Sequence, residues 1–449
     1  MRIRLEIPLT LKDIAFGMKG DIQCQDNPTI EYVSTDSREI KPGDLFIPLM
    51  GDHFNGENYV SDILSKGCFA VSEKNAKAHI RVENTRAALL NFASFYNKTL
   101  PYILYRVGIT GSVGKTTTKE FLKILLSAYY KTHANEGNLN NEIGLPLSLL
   151  SAPLDTEALI LEMGMNHRGE IGRLSKCLCP NAAIITNIGS SHIGNLGSKE
   201  NIAKAKIEIL EGMTGGKIYV PMEEKLLQNI ENKATISLDN KYADFYLASK
   251  NDEIIIYKNG YEYITERFAF KEKHLQKCLL FACALATDIG VQPAILSQAI
   301  SSISKHNIRQ TMFSAQNYLF YADFYNASPE SILASFDSIK NIEIKGKKHL
   351  LLGDVLELGE MSEEIHYKIG KSIPKDLFAE IFLFGDFAEQ TMSGAISAGF
   401  LKSKIHTNPL LHRPDITAMQ IKTYCSKGDL ILMKASRGIK LERVLSYFM

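Results

Sequence analysis

The sequence has almost no net charge. Its 51 lysines and arginines stand against 50 aspartates and glutamates, which leaves +1. A chain so balanced exerts no bulk pull on a polyanion, so neither nucleic acid nor an anionic surface is expected as a partner on charge grounds. No apolar run approaches the roughly 20 residues of a membrane span. The start, Met1-Arg-Ile-Arg-Leu-Glu-Ile7, is interrupted by charges before an apolar core of signal-peptide length can form. Cysteine is sparse and scattered: residues 24, 68, 177, 179, 278, 283 and 425. Seven is an odd number, and Cys177-Leu-Cys179 has no second pair at zinc-site spacing, so seven reduced thiols in a cytoplasmic protein are expected. Low-complexity linkers and short-period repeats are also missing. What remains, 45% hydrophobic and 22% charged residues, is the composition of an ordinary globular protein. At 449 residues the chain is too long for one core, and three domains are expected.

One stretch organises the rest: Tyr105-Arg-Val-Gly-Ile-Thr-Gly-Ser-Val-Gly-Lys-Thr-Thr-Thr-Lys-Glu120. Alternating apolar residues predict a short strand. Gly111 and Gly114 follow, and then Phe121, Leu122, Ile124, Leu125, Leu126 and Tyr129 recur at helical spacing over 116–130. Strand, glycine loop, Lys-Thr and helix in that order is the layout of a phosphate-binding loop. Glycines let backbone N–H groups approach a polyphosphate, and the helix N-terminus adds partial positive charge. Lys115 is placed to reach the β- and γ-phosphates, and the Thr116 hydroxyl to ligate magnesium. The strict pattern wants glycine at 109, where Ile109 stands; Gly111 comes two places later. ATP with Mg2+ is therefore expected, held by Gly111, Ser112, Val113, Gly114, Lys115, Thr116 and Thr117.

Residues 1–103 read as a separate α/β unit, with helical spacing at 57–66 and 86–97 and a strand after Pro42-Gly43. Asp36, Ser37 and Arg38 either cap a turn or contact a ligand. In the middle part, 104–308, the segment from Ala134 to Pro146 is dense in amides, Asn140 and Asn141 among them. Amides offer both donors and acceptors, which suits a polar ligand, although an ordinary Asn/Gly loop has the same composition. Ala158-Leu-Ile-Leu-Glu162 is a buried-strand pattern ending in an acid. Open α/β sheets place ligands beyond the carboxyl ends of their strands, so Glu162 is a magnesium-ligand candidate beside the phosphate loop. Ala182-Ala-Ile-Ile-Thr-Asn-Ile-Gly189 is another such strand and leads to His192 at the same sheet edge. In the helical stretch 200–210, Lys204 and Lys206 point to different faces, and residue types alone predict a solvated face for them. Short strands with an Asn259-Gly260 turn are expected over 241–272, and helices over 273–288 and 292–304. In the last part, 309–449, a strand ends at Asp323, and Ser328-Pro329 starts a helix as N-cap and N1. Strands follow at 349–354, 380–386 and 429–437, with helices between them, which predicts a mostly parallel sheet with polar tips at one edge.

Taken together, these residues resemble the Mur ligase family over almost the whole chain. The resemblance rests on Asp36-Ser-Arg, Gly108-Ile-Thr-Gly-Ser-Val-Gly-Lys-Thr-Thr, Gly137-Asn-Leu-Asn-Asn-Glu-Ile-Gly-Leu-Pro, Glu162-Met-Gly-Met-Asn-His-Arg, Thr186-Asn-Ile-Gly with His192, Ala203-Lys-Ala-Lys-Ile-Glu, Asp323-Phe-Tyr-Asn-Ala-Ser-Pro-Glu-Ser, Gly353-Asp-Val-Leu-Glu-Leu-Gly and Lys434-Ala-Ser-Arg. The Tyr-Asn-Ala-x-Pro and Leu-Glu-Leu-Gly segments are similar to those of the member that adds D-Ala-D-Ala, and the Asp-Asn-Pro-Arg motif of the diaminopimelate-adding member is not found. The resemblance implies an α/β protein of three domains: a small N-terminal α/β domain for the UDP substrate (1–103), a central P-loop ATPase-like, mostly parallel sheet with helices on both faces (104–308), and a C-terminal Rossmann-like domain that closes over the site (309–449).

It further implies a cytoplasmic, monomeric, ATP-dependent ligase that joins D-Ala-D-Ala to a UDP-N-acetylmuramoyl-tripeptide through an acyl phosphate. Lys115, Glu162, His192 and Lys206 would be its catalytic group. Lys206 stands where the family carries a carbamylated lysine, so it and His192 would hold a second magnesium, with the first on Thr116 and Glu162. His274, Arg309 and Asp323 match nucleotide-contacting positions. Ser37, Asn140, Asn141, Tyr325, Asn326, Ser436 and Arg437 are the substrate-side candidates. The chain departs from the family at Glu272-Lys-His-Leu-Gln-Lys-Cys278, where Leu275 and Cys278 replace amides near the adenine, and at Ile308, Ala435 and Asn55. Two other readings compete: another amino-acid-adding or folylpolyglutamate synthase-like ligase, separated by amine specificity, and a non-catalytic nucleotide-binding protein, separated by phosphate release.

Overall fold

The computed structural model describes residues 1–449 apart from 52–53, 76, 251–252, 269, 304–310, 325–326 and 341. Three main sheets follow one another along the chain. The first has the strand order Arg2–Thr10, Thr29–Ser34, Leu45–Phe46, Phe69–Ser72, Ile80–Arg81, Asp21–Ile22. Leu11, Ile14 and Met18 from one helix and Leu89, Phe92 and Tyr96 from another cover it, all almost fully buried. The expected helix at 57–66 is split. A 3-10 turn, Gly56–Tyr59, precedes the helix Val60–Ser65. The tight first turn follows from Asn55, whose side-chain oxygen accepts from Glu57 N at 3.0 Å, while the Glu57 carboxylate accepts from Ser72 Oγ at 2.6 Å and Glu73 N at 2.8 Å.

The second sheet is the widest, in the order Thr132–Ala134, Ala158–Glu162, Tyr105–Thr110, Ala182–Ile185, Lys217–Pro221, Lys233–Ser237, Phe245–Lys250, Glu253–Lys258, Tyr261–Arg267. The first seven run parallel and the last two antiparallel. Buried on both faces, the central strands read as continuous apolar runs rather than alternating ones. Val107, Ile109, Ile160 and Ile184 face the helices Lys115–Ser127 and Lys273–Asp288. Leu159, Leu161, Ala183 and Ile185 face Gly144–Leu150, Glu170–Leu178 and Lys199–Ile207 on the other side. Each of the valine, leucine and isoleucine side chains among them contributes about 1.5–3 kcal/mol of burial. The antiparallel end closes at Asn259 and Gly260, both at positive φ (50° and 82°), as a two-residue hairpin turn requires.

The third sheet has the order Thr311–Ala315, Tyr318–Ala322, Leu430–Lys434, Lys348–Gly353, Ile381–Phe384, Ile405–Asn408. Two of these strands, Thr311–Ala315 and Ile405–Asn408, are not expected from the sequence. Among the described residues both are edge strands, paired along one long side, so their residues carry a weak apolar signal. The helix Pro329–Lys340 starts as expected: Ser331 N donates to Ser328 Oγ at 3.2 Å. The chain passes from Lys348–Gly353 to Ile381–Phe384 on one side and inserts Leu430–Lys434 on the other. The crevice between these directions opens beyond the carboxyl ends of the strands, at Asp354–Leu358 and Ser436–Gly438, where open α/β sheets bind ligands. All seven cysteines are free thiols. No helix among the described residues is long and apolar enough to cross a membrane.

Candidate active site

The phosphate loop lies where the strand Tyr105–Thr110 ends. Ile109, in place of the glycine of the strict pattern, is a fully buried strand residue, so the turn begins at Gly111. Gly111 has φ 148°, and a Cβ there would stand 1.8 Å from Thr186 Oγ1. Gly114, at φ 81°, caps the helix Lys115–Ser127, so Thr116 and Thr117 lie in its first turn. The loop is held from behind. Asn187 Oδ1 accepts from Ser112 N at 3.0 Å and Val113 N at 2.9 Å, Thr186 Oγ1 donates to Val113 O at 2.6 Å, and Gly189 N donates to Ser112 Oγ at 2.8 Å. The amides of Ser112 and Val113 therefore turn toward Asn187. The donors suited to a phosphate are those of the helix start, which a helix leaves without intrahelical partners. Lys115 Nζ curls over the loop and donates to Gly111 O at 2.9 Å. Gly111→Ala is expected to weaken ATP binding by at least about tenfold, because the new methyl would displace Thr186 and the loop with it; isothermal titration checks this.

Glu162 ends the neighbouring strand, 3% exposed, and the Thr116 hydroxyl donates to its Oε2. Asn140 Nδ2 donates to Oε1 at 2.8 Å. Asn135 ties the backbone beneath: its Oδ1 accepts from Glu162 N at 2.9 Å, and its Nδ2 donates to Glu162 O at 3.1 Å. Lys119, fully buried, donates to Asn135 O. One carboxylate and one hydroxyl beside a phosphate loop form a hard oxygen donor set. That set fits Mg2+, which keeps several waters and takes the rest of its ligands from phosphate. Among the described residues no group of three His, Cys, Asp or Glu side chains converges, so the protein offers no all-protein cage. Asn141 lies apart from Glu162's contacts: its side-chain oxygen accepts from Ile143 N at 3.1 Å and Gly144 N at 2.8 Å and starts the next helix.

Lys206 corrects one expectation. Lys204 is exposed, as a solvated face requires, but Lys206 is 2% exposed. Two residues apart on a helix turn the side chains through roughly 200°, so Lys206 points inward with Ile202 on the core side. Burial, and after it the charge of Lys115, push its pKa well below that of an ordinary lysine. Among the described residues it forms no ion pair. His192, at φ 63°, sets its Nδ1 2.5 Å from Glu357 Oε2 of the third sheet's unit and holds that carboxyl below its usual range.

On the C-terminal side, Asp323 is paired with Lys434 at 2.9 Å and accepts from Ser335 Oγ at 2.5 Å. His274 of the central unit lies near it; burial lowers the His274 pKa, and the Asp323 charge opposes this. Ser436 Oγ accepts from Leu356 N at 2.9 Å, and Arg437 pairs with Glu442 at 3.3 Å. Beneath them Asp354 accepts from Asp386 N at 2.7 Å and Phe387 N at 3.3 Å and joins two strand tips; burial pushes its carboxyl up to about 6. A cleft of about 110 Å³ between the two units is lined by Ser190, His192, Ser328, Glu357, Ser436 and Arg437, among others. Ser37 sits half-buried in a turn after the strand Thr29–Ser34 of the first sheet, whose Asp36 accepts from Arg38 N and Nε at 2.9 Å. Cys278 is buried against the phosphate loop, and a Cβ on Gly114 would meet its Sγ at 3.0 Å. Arg309, Tyr325 and Asn326 lie outside the described residues. Residue types alone do not single out Asn135, Lys119, Asn187, Glu330 or Glu357. The first lies in the amide-dense loop and Asn187 in the Thr-Asn-Ile-Gly run, but their partners are remote in sequence.

Comparison with known proteins agrees with this geometry. Residues 109–290 match the Mur ligase middle domain, and residues 309–437 match the domain described as Mur ligase, glutamate ligase domain. The chain is 36% identical over 458 residues to the UDP-N-acetylmuramoyl-tripeptide–D-alanyl-D-alanine ligase of Bacillus subtilis (strain 168), covering 98% of each. It is 32% identical to the enzyme of that name from Treponema pallidum (strain Nichols), covering 97% of this chain and 98% of that one. A crystal structure of MurF from Acinetobacter baumannii superposes with a TM-score of 0.88 at 26% identity, covering 99% of both chains. MurF ligase from Thermotoga maritima in complex with ADP superposes with a TM-score of 0.78 at 26% identity, over 93% of this chain and 96% of that one. With a phosphate loop, an acidic strand end and a C-terminal crevice that faces them, and with a relative matched from end to end, this chain belongs to the Mur ligase family.

Proposed function

We propose that the chain joins D-Ala-D-Ala to UDP-N-acetylmuramoyl-tripeptide at the expense of ATP, giving the UDP-N-acetylmuramoyl-pentapeptide precursor of peptidoglycan. The observation that carries this reading is the near-full-length identity to ligases of that name, 36% in the Bacillus subtilis enzyme. We read the chain as three domains, 1–103 for the UDP substrate, 104–308 for ATP and 309–449 closing over the site. In support, the three main sheets fall one within each range. A cytoplasmic monomer is part of the same reading.

The terminal carboxylate of the tripeptide attacks the γ-phosphorus of ATP; the acyl phosphate forms and ADP leaves. The free amine of D-Ala-D-Ala then attacks the acyl carbon, and inorganic phosphate departs with the bonding electrons of the C–O bond. Both steps crowd anions, so the protein's work is positive charge and position. Lys115 and the amides at the helix start hold the β- and γ-phosphates. Magnesium, when bound at Thr116 and Glu162, supplies charge neutralisation at the phosphate oxygens. Lys206, as a carbamate, together with His192 would offer donors for a second ion. A neutral amine is the form that takes up CO2, and burial of Lys206 favours that form. Asp323, His274 and Arg309 are the nucleotide-side candidates, and Ser37, Asn140, Asn141, Tyr325, Asn326, Ser436 and Arg437 the substrate-side ones.

The test is phosphate release from ATP, Mg2+ and the UDP-tripeptide, with and without D-Ala-D-Ala. Release that depends on the dipeptide, with a pentapeptide product by mass, is expected. Release only with a single amino acid would assign the chain to a different ligase of the family, and no release with any amine would refute the enzymatic reading.

A further inference from the structure

The central and C-terminal units meet along a short run, 189–194, that also carries His192. Glu330, in the first turn of Pro329–Lys340, reaches across: its Oε1 accepts from Ser190 N at 2.9 Å and from Ser190 Oγ at 2.6 Å. The carboxylate lies so close over Gly189 that a Cβ there would stand 2.9 Å from Glu330 Cδ. The N–H of the same Gly189 donates to Ser112 Oγ of the phosphate loop. Five residues on, Gly194 N donates to Glu357 O at 3.0 Å, and a Cβ on Gly194 would stand 2.5 Å from Gly359 N and 2.6 Å from Leu358 C. Gly359 answers at φ 56°, where a Cβ would meet Gly194 Cα at 3.1 Å. Backbone thus touches backbone at one end of the run, and a charged clamp closes the other. Glu330 Oε2 is buried and accepts no hydrogen bond among the described residues.

We propose that residues 189–194 are the seat on which the C-terminal domain docks, with Gly194 and Glu330 as positioning residues that set the cleft where the dipeptide amine meets the acyl phosphate. The seat joins the docking contacts to the phosphate loop through Gly189 and Ser112. A displaced C-terminal domain therefore misplaces the amine while leaving the N-terminal domain's hold on the UDP substrate intact. The inference rests on the ligase reading above.

The test uses full-length Gly194→Ala, Glu330→Ala and Glu330→Gln. Gly194 lies in the short helix Ile193–Leu196, where alanine is locally favoured over glycine, so what opposes the new methyl is the C-terminal unit's backbone at Glu357, Leu358 and Gly359. Gly194→Ala is expected to lower kcat/KM for D-Ala-D-Ala by about 100-fold, since about 1 Å of misplacement has that effect. A raised dipeptide KM should appear in it, with UDP-tripeptide affinity and melting temperature unchanged. Glu330→Ala should lose about tenfold or more, and Glu330→Gln, which keeps one acceptor oxygen, less. Dipeptide kcat/KM of Gly194→Ala and Glu330→Ala within about twofold of the unmodified chain would overturn the proposal. So would a fall in kcat that tracks a lowered melting temperature at constant KM. An unmodified chain without dipeptide-dependent release would instead refute the ligase reading on which the seat depends.

Discussion

Lys115→Ala is expected to lower kcat/KM by about 10²–10³, equivalent to about 3–4 kcal/mol of lost transition-state stabilisation. The melting temperature should barely move. Lys115 is half-buried at the first position of its helix, and its ammonium lies over the loop it borders, donating to Gly111 O at 2.9 Å and reaching Ser112 O at 3.5 Å. In that position it needs only a small swing to face a polyphosphate held at the helix N-terminus. The charge it neutralises grows as the γ-phosphoryl group transfers, so its contribution is larger in the transition state than in the ground state. The fold, by contrast, does not depend on it: the loop is pinned from behind by Thr186, Asn187 and Gly189. Steady-state phosphate release and thermal melting separate the two effects. Near-normal turnover of the alanine variant would sink the assigned role.

Lys206→Met is expected to remove activity by about 100-fold or more while leaving the fold as stable as before, or more stable. An ammonium buried without a carboxylate partner is costly, and a neutral amine there still loses its hydration. Methionine fills similar volume without either cost. A residue kept at 2% exposure, with a pKa driven down by burial and by Lys115, is therefore held for chemistry rather than for packing. The reading of Lys206 as a carbamylated donor adds a direct observable, extra density beyond Nζ in a crystal grown with bicarbonate. Full activity of the methionine variant would refute the role, whereas lost activity with a collapsed melting temperature would move Lys206 to the structural side.

The parts legible in the sequence are those written in consecutive residues. Strand, glycine turn, Lys-Thr and helix occupy 105–127 without a break, and the physical requirements of a phosphate loop are local: positive φ at Gly111 and Gly114 and amides at a helix start. Glu162 was legible because a run of apolar residues long enough for one buried strand ends in an acid. The short edge strands were not, since an edge position demands little of its side chains.

By itself the sequence determined the alternation of core strands with helices, the nucleotide-binding chemistry and the family resemblance, because each rests on residue types at short spacing. Only the tertiary structure decided that Lys206 is buried beside Lys115, that Asn187 rather than a ligand takes the amides of Ser112 and Val113, and that Glu330 and Glu357 meet the segment bearing His192. Those facts depend on partners 74 to 165 positions apart in the chain, brought together where the crevices of two sheets face each other, and no local pattern records which distant residue will arrive there.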